Sequence, residues 1–195
     1  MSEKDFLGLL AVAFSLTGHC AYFWSVYRKR TKPHAFSWII WSLLTGIGFF
    51  AQIAKGAGPG AWAMGVTSVG CIVGAILGLF WGEKDIRKSD VIAFLGGLSA
   101  IPLWYFTRDP LSAAIVITIV EIFAFYPTFR KSYFKPHEEL AFAYAIDVAK
   151  YAITLFAMKQ YSLAALLYPI FIIVFQSGFV AMLLYRRATL ARVTK

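Results

Sequence analysis

The chain has 195 residues, of which 59% are hydrophobic, 17% aromatic and only 15% charged. Apolar runs of about twenty residues recur from end to end, which excludes an ordinary soluble domain and implies a polytopic helical membrane protein. A net charge of +9 would suit nucleic acid, but the cations cluster in alternate loops, as the positive-inside rule requires, and no nucleic-acid partner is expected.

Seven apolar runs fill the length, so the connections are short and no soluble domain fits between them. Helix one is expected from about Phe6 to Tyr27, ending in Arg28-Lys29-Arg30. It lacks a basic leader and is long enough to span, so it reads as a retained membrane helix rather than a cleaved signal. Helix two opens behind Lys32-Pro33-His34, with Pro33 suited to the first turn, and reaches about Ala54. Gly56-Ala57-Gly58-Pro59-Gly60 predicts a tight turn. Helix three covers about Ala61 to Trp81, where Gly70, Gly74 and Gly78 form a flat ridge for close helix contact.

A polar loop from Gly82 leads into helix four, with Ser89 or Asp90 as N-cap, and this helix runs to about Phe106. Arg108-Asp109-Pro110 turns the chain into helix five, about Leu111 to Phe129. Helix six is expected over Glu138–Met158 behind Lys135-Pro136-His137. Helix seven spans about Ser162 to Tyr185, kinked at Pro169 and followed by Arg186-Arg187. Cys20 and Cys71 both fall inside apolar runs and read as small buried hydrophobes rather than a disulfide.

Of the 19 Lys and Arg residues, all but five lie in the first, third and fifth loops and the C-terminal tail. The N-terminus and the other loops carry one each, and the last cation is Lys150. This asymmetry puts the N-terminus outside and the C-terminus in the cytoplasm, and the short loops favour a prokaryotic inner membrane.

Tyr27-Arg28-Lys29-Arg30-Thr31-Lys32-Pro33-His34 recurs, one residue longer, as Phe129-Arg130-Lys131-Ser132-Tyr133-Phe134-Lys135-Pro136-His137. Both copies join one helix to the next on the cytoplasmic side. Residues 1–82 (helices one to three) and 110–195 (helices five to seven) then form two triple-helix copies, and residues 83–109 hold a linker helix. The copies point the same way, the parallel-repeat plan in which a site lies at the repeat interface near the midplane. This all-α 3+1+3 layout, with a proline-bearing cytoplasmic turn in each half, resembles the SWEET and PQ-loop superfamily. Pro33-His34 and Pro136-His137 stand where that family often has Pro-Gln. The resemblance implies transport by rocking of the two bundles, with the prolines as hinges.

Counting about 1.5 Å per residue from the cytoplasmic helix ends puts His19, Cys71, Glu121, Asp147 and Gln176 at one depth. That depth is about 12–15 Å into a core about 30 Å thick. The offset that aligns Arg28 with Arg130 also aligns His19 with Glu121. Lys150 lies one turn beyond Asp147 on the same helix face, so the two can pair. Thr45 and Gly46 sit level with that face, although Ser42 and Gly46 also fit a small-residue packing pair. Ionisable groups at this depth are costly and point to function. Asp147 and Lys150 could be a purely structural ion pair, but one lysine cannot neutralise two carboxylates. With Glu121 the site must take up a proton or bind a cationic group. Trp38 and Trp41, near a helix start, fit an interfacial aromatic belt better than ligand stacking, and Trp104 and Tyr105 suit the opposite interface. The Lys-Pro-His turns are expected to cap helices and bind lipid headgroups, with gating by Pro33, His34, Pro136 and His137 the alternative.

These features predict a transporter for a small polar solute, with protons as candidate coupling ions. His19, Thr45, Glu121, Asp147, Lys150 and Gln176 would form its site. A receptor or sorting protein, or an ion channel, is the alternative on the same fold. A retinal protein is disfavoured because helix seven has no lysine between Ser162 and Tyr185. An enzyme is not expected: there is no His-Glu-x-x-His, no Gly-x-Ser-x-Gly, and no nucleophile beside a base. No cofactor or metal is expected. Membrane lipids are expected partners, and self-association is left open.

Overall fold

The computed structural model describes residues 1–54, 58–106, 110–158 and 161–193. The expected turns through Gly56-Ala57 and Arg108-Asp109, and the side chains of Trp104 and Tyr105, lie outside the described residues. Among those residues the fold is all helical. The elements are α1 (Glu3–Tyr27), α2 (Ala35–Ala54), α3 (Trp62–Trp81), α4 (Lys88–Phe106), α5 (Pro110–Phe134), α6 (Ala141–Ala157) and α7 (Leu163–Val193), with short 3₁₀ turns at Gly58–Ala61 and Pro136–Glu138.

Local chemistry sets the ends. Ser2 caps α1 by accepting from the Asp5 N–H at 3.2 Å, while Asp5 accepts from the Ser2 N–H at 2.8 Å, a reciprocal capping box. At its other end Lys29 takes φ 56°, the left-handed conformation usually left to glycine. Helix six begins later than the sequence suggests. Pro136 starts a 3₁₀ turn, Glu139 is extended, and α6 proper has 17 residues. At about 1.5 Å per residue it covers some 26 Å, a little less than a bilayer core. Helices five and seven run past their expected ends, to Phe134 and Val193, carrying basic residues beyond the apolar stretch.

Helix α3 buries small residues and exposes large ones. It turns Thr67, Gly70, Cys71, Gly74, Ala75 and Gly78 inward, and leaves Val69, Ile72, Ile76, Leu79 and Phe80 exposed. In water this would be inside out, since contiguous apolar surface of that kind marks contact with a partner or a membrane. Three stretches among the described residues are long and apolar enough to cross a membrane: Glu3–Tyr27, Gly58–Trp81 and Leu166–Ala191.

Helix α3 packs against both α1 and α2, and α7 against both α5 and α6. The two groups meet where α1 lies on α6 and α2 on α5, and α4 packs on α5 and α2. At the end of the bundle that gathers the basic loops, ion pairs tie these groups together. Lys32 pairs with Glu138 at 2.6 Å and Lys135 with Glu83 at 2.9 Å. Buried Lys131 bonds the Lys32 carbonyl at 2.6 Å and also pairs with Glu139. Asp90, fully buried, is held by Arg130 through bonds of 2.8 and 2.5 Å.

The two Lys-Pro-His turns differ in environment. His34 is fully buried 3.6 Å from Asp90, so the expected headgroup contact fails there, whereas His137 is exposed. Burial pushes the His34 imidazole down to about 4, against the pull of Asp90, with Lys131 and Arg130 adding to the depression. A histidine whose folded value lies below its unfolded value binds its proton more readily when unfolded. Stability from His34 is therefore full above about 6.5 and lost as pH falls towards 4, by up to about 3 kcal/mol. Thermal unfolding in detergent between pH 7 and 4.5 should show this loss, and His34→Gln should flatten the slope.

Candidate functional site

A cavity of about 650 Å³, including the open space at its mouth, lies where α1, α2 and α3 face α5, α6 and α7. Each of these six helices contributes lining residues, and no lining residue comes from α4 among the described residues. His19, Thr45, Glu121, Asp147 and Gln176 all line it, as does Cys71. Lys150 stands behind Asp147 in the wall. The hinge candidates Pro33, His34, Pro136 and His137 lie apart from the cavity, in the ion-paired layer at the basic end.

Helical spacing builds each part of the wall. On α6, Tyr144, Asp147 and Tyr151 follow one another at three- and four-residue steps and so share a face. Lys150 is 2% exposed, and its ammonium sits 2.5 Å from Asp147 Oδ1. It donates to Thr67 Oγ1 at 3.1 Å and lies 4.2 Å from the centre of the Tyr151 ring. The Thr67 hydroxyl in turn bonds Ser15 at 2.9 Å. The Asp147–Lys150 pair foreseen from spacing is thus formed, and it binds α6 to α3 and α1.

Glu121 is 2% exposed and held differently. Its Oε1 accepts from Trp41 Nε1 at 2.8 Å and its Oε2 from the Tyr168 hydroxyl at 3.3 Å. Both donors are neutral, so Glu121 has hydrogen bonds but no cation bonded to it. Trp41 and Trp38 are 8% and 6% exposed and line the cavity, which corrects their assignment to an interfacial belt. Two tryptophans near a helix start resemble a belt in sequence. Their inward rotation is set by contacts with α3 and α5 that no local pattern records.

His19 Nδ1 bonds the Ser15 carbonyl at 2.8 Å, leaving the ring edge against α3. The glycine ridge explains the fit. A Cβ at Gly70 would stand 2.1 Å from His19 Cδ2, and one at Gly74 would stand 2.0 Å from Trp38 Cε3. These glycines seat cavity side chains in addition to bringing helices close. Gly74→Ala should therefore displace Trp38 and cost about 1–3 kcal/mol by overpacking, read as a lower unfolding midpoint in detergent. Thr45 lines the cavity, but its hydroxyl is committed to the Trp41 carbonyl at 2.6 Å. Ser42 likewise bonds Ile39, and Gly46 faces Ser68. Of the cysteines, Cys71 is buried as expected but Cys20 is exposed on the outer face of α1; both are free thiols.

Gln176 Oε1 is buried in the cavity wall and has no hydrogen-bond partner. Unpaired polar atoms in a buried wall are costly unless water or a ligand meets them. The buried Tyr22 hydroxyl, by contrast, lies close to Glu139, Trp38 Nε1 and the Tyr144 hydroxyl. The rings of Tyr22, Trp38, Phe125, Tyr144 and Phe179 pack edge to face or tilted, at centroid distances of 4.7–5.8 Å, and close the cavity towards the basic end. No group of three or more His, Cys, Asp or Glu able to hold a metal ion occurs among the described residues.

No protein-family model, no curated protein and no solved structure matches the chain. The functional reading therefore rests on the site itself.

Proposed function

We propose that the protein is an integral membrane carrier for a small polar solute, working by alternating access, with protons as candidate coupling ions. The observation that carries this reading is the cavity walled by three helices from each half of the chain, with a buried carboxylate that meets only neutral donors. The like packing of the halves, α3 with α1 and α2, α7 with α5 and α6, supports two parallel repeats joined by α4. It also fits the resemblance to the SWEET and PQ-loop superfamily.

The aromatic plug and the ion pairs Lys32–Glu138 and Lys135–Glu83 support a state closed at the basic end. Opening that end would separate these pairs, with Pro33 and Pro136 beside them as hinges. The exposed apolar flanks of α1 and α3 support contact with lipid, and the loop charges support an inner membrane with the basic end in the cytoplasm.

The ionisable side chains that share the cavity wall with Glu121 are Tyr144, Asp147 and Tyr151 on α6, with Lys150 behind them, Tyr168 on α7, Cys71 on α3, and His19 and Tyr22 on α1. Solute uptake into proteoliposomes should depend on external pH, and Glu121→Gln or Asp147→Asn should remove that dependence. If both variants keep the wild-type pH profile, the charged site is structural and the coupling mechanism fails.

A further inference from the structure

We infer that the solute is an organic ammonium cation, bound with its charge among the cavity rings and facing Glu121. This rests on the carrier reading and specifies its substrate class. The first argument is charge. The lining holds two carboxylates, Glu121 and Asp147, and no ammonium or guanidinium among the described residues. Lys150 is already spent, on Asp147 at 2.5 Å, on Thr67 at 3.1 Å and on the Tyr151 ring. It balances Asp147 and leaves Glu121 unbalanced. A carboxylate in a low-dielectric wall either carries a proton or requires a cation, and an anionic solute would add a further uncompensated charge.

The second argument is the surface offered to that cation. Tyr22, Trp38, Trp41, Tyr144, Tyr151 and Tyr168 all line the cavity, and ring faces attract ammonium groups, Trp most strongly. The site already uses this contact once, with the Lys150 ammonium over Tyr151. Two of the rings are also tied to the carboxylate: Trp41 and Tyr168 both donate to Glu121, so the negative charge and the aromatic walls form one unit. The unpaired Gln176 Oε1 remains to orient a polar substituent.

The test is thermal unfolding of the purified full chain in detergent with choline or phenyltrimethylammonium. The controls are 3,3-dimethylbutanol (the uncharged isostere of choline), glucose and benzoate. Binding to the folded state raises its apparent stability by mass action. At least one cation should raise the melting temperature and 3,3-dimethylbutanol should not. Glu121→Gln should weaken that cation at least tenfold, and Glu121→Asp should retain part of the response. Equal shifts from choline and its neutral isostere would overturn the inference, because charge would then not be recognised. So would stabilisation by glucose or benzoate alone, or by no probe. The carrier reading is judged separately, by pH-dependent uptake in proteoliposomes, and survives the loss of the cation inference if that uptake persists.

Discussion

Glu121→Gln should lower uptake of the ammonium probes at least tenfold while leaving the empty protein as stable as wild type or more so. The amide keeps the shape of the side chain, and its oxygen can still accept from Trp41 Nε1 or the Tyr168 hydroxyl. What disappears is a charge buried in a wall where only neutral groups bond to it. Replacing such a charge by a neutral isostere relieves a desolvation cost. Tenfold weaker recognition corresponds to about 1.4 kcal/mol, modest for the loss of a cavity carboxylate that has no bonded cation. The paired readout matters: if Glu121 were only structural, its loss would lower the unfolding midpoint. Uptake and detergent melting measured on the same preparation separate the two roles.

Arg130→Met should be the most destabilising single change at the basic end, costing about 3–5 kcal/mol. The guanidinium holds Asp90 through two bonds, of 2.8 and 2.5 Å, and reaches the Asp85 carbonyl at 2.8 Å. Asp90 is fully buried beside an equally buried His34. Without Arg130 its carboxylate would face an imidazole that burial keeps neutral down to about 4. Adding Asp90→Asn to Arg130→Met should recover part of the loss, since removing both partners avoids the orphaned charge. Glu83 offers a milder contrast. Burial pushes its carboxyl up, but the Asp85 N–H, the Lys135 ammonium and the Lys84 N–H prevail and hold it at about 2. Its pair with Lys135, which is 39% exposed, is worth much less. Unfolding midpoints in detergent of Arg130→Met, of Arg130→Met with Asp90→Asn, and of Glu83→Gln would rank these contributions.

Much of the architecture was legible because the bilayer reading leaves few options. Seven apolar runs punctuated by glycine, proline and basic clusters give seven helices, and their order follows from loop length. What failed locally had local causes. The start of α6 was misplaced because Glu138 and Glu139 look like a helical first turn, whereas Pro136 commits the chain to a 3₁₀ turn and an extended Glu139.

The cavity residues found by depth counting, His19, Glu121, Asp147 and Gln176, were found because polar groups in apolar runs stand out. Tyr168 and Tyr151 were missed because aromatic residues in such runs do not, and Trp41 was assigned to an interfacial belt because it stands near a helix start. One signal was present: Tyr144 and Tyr151 flank Asp147 on its own helix face, and that face proved to be the wall. The partnership of Trp41 with Glu121 joins α2 to α5 across 80 positions of sequence. No periodicity within one helix could carry it.

Accessibility of Cys71 from the two sides of the membrane tests the carrier account most directly, because this thiol lies in the cavity wall and needs no knowledge of the solute. In a Cys20→Ser background, reconstituted with known orientation, a membrane-impermeant thiol reagent should label Cys71 from either face. Cysteines cross-linked in place of Lys32 and Glu138 should abolish labelling from the basic face alone. Labelling from one face only in the uncross-linked protein, or from neither, would contradict alternating access to this cavity.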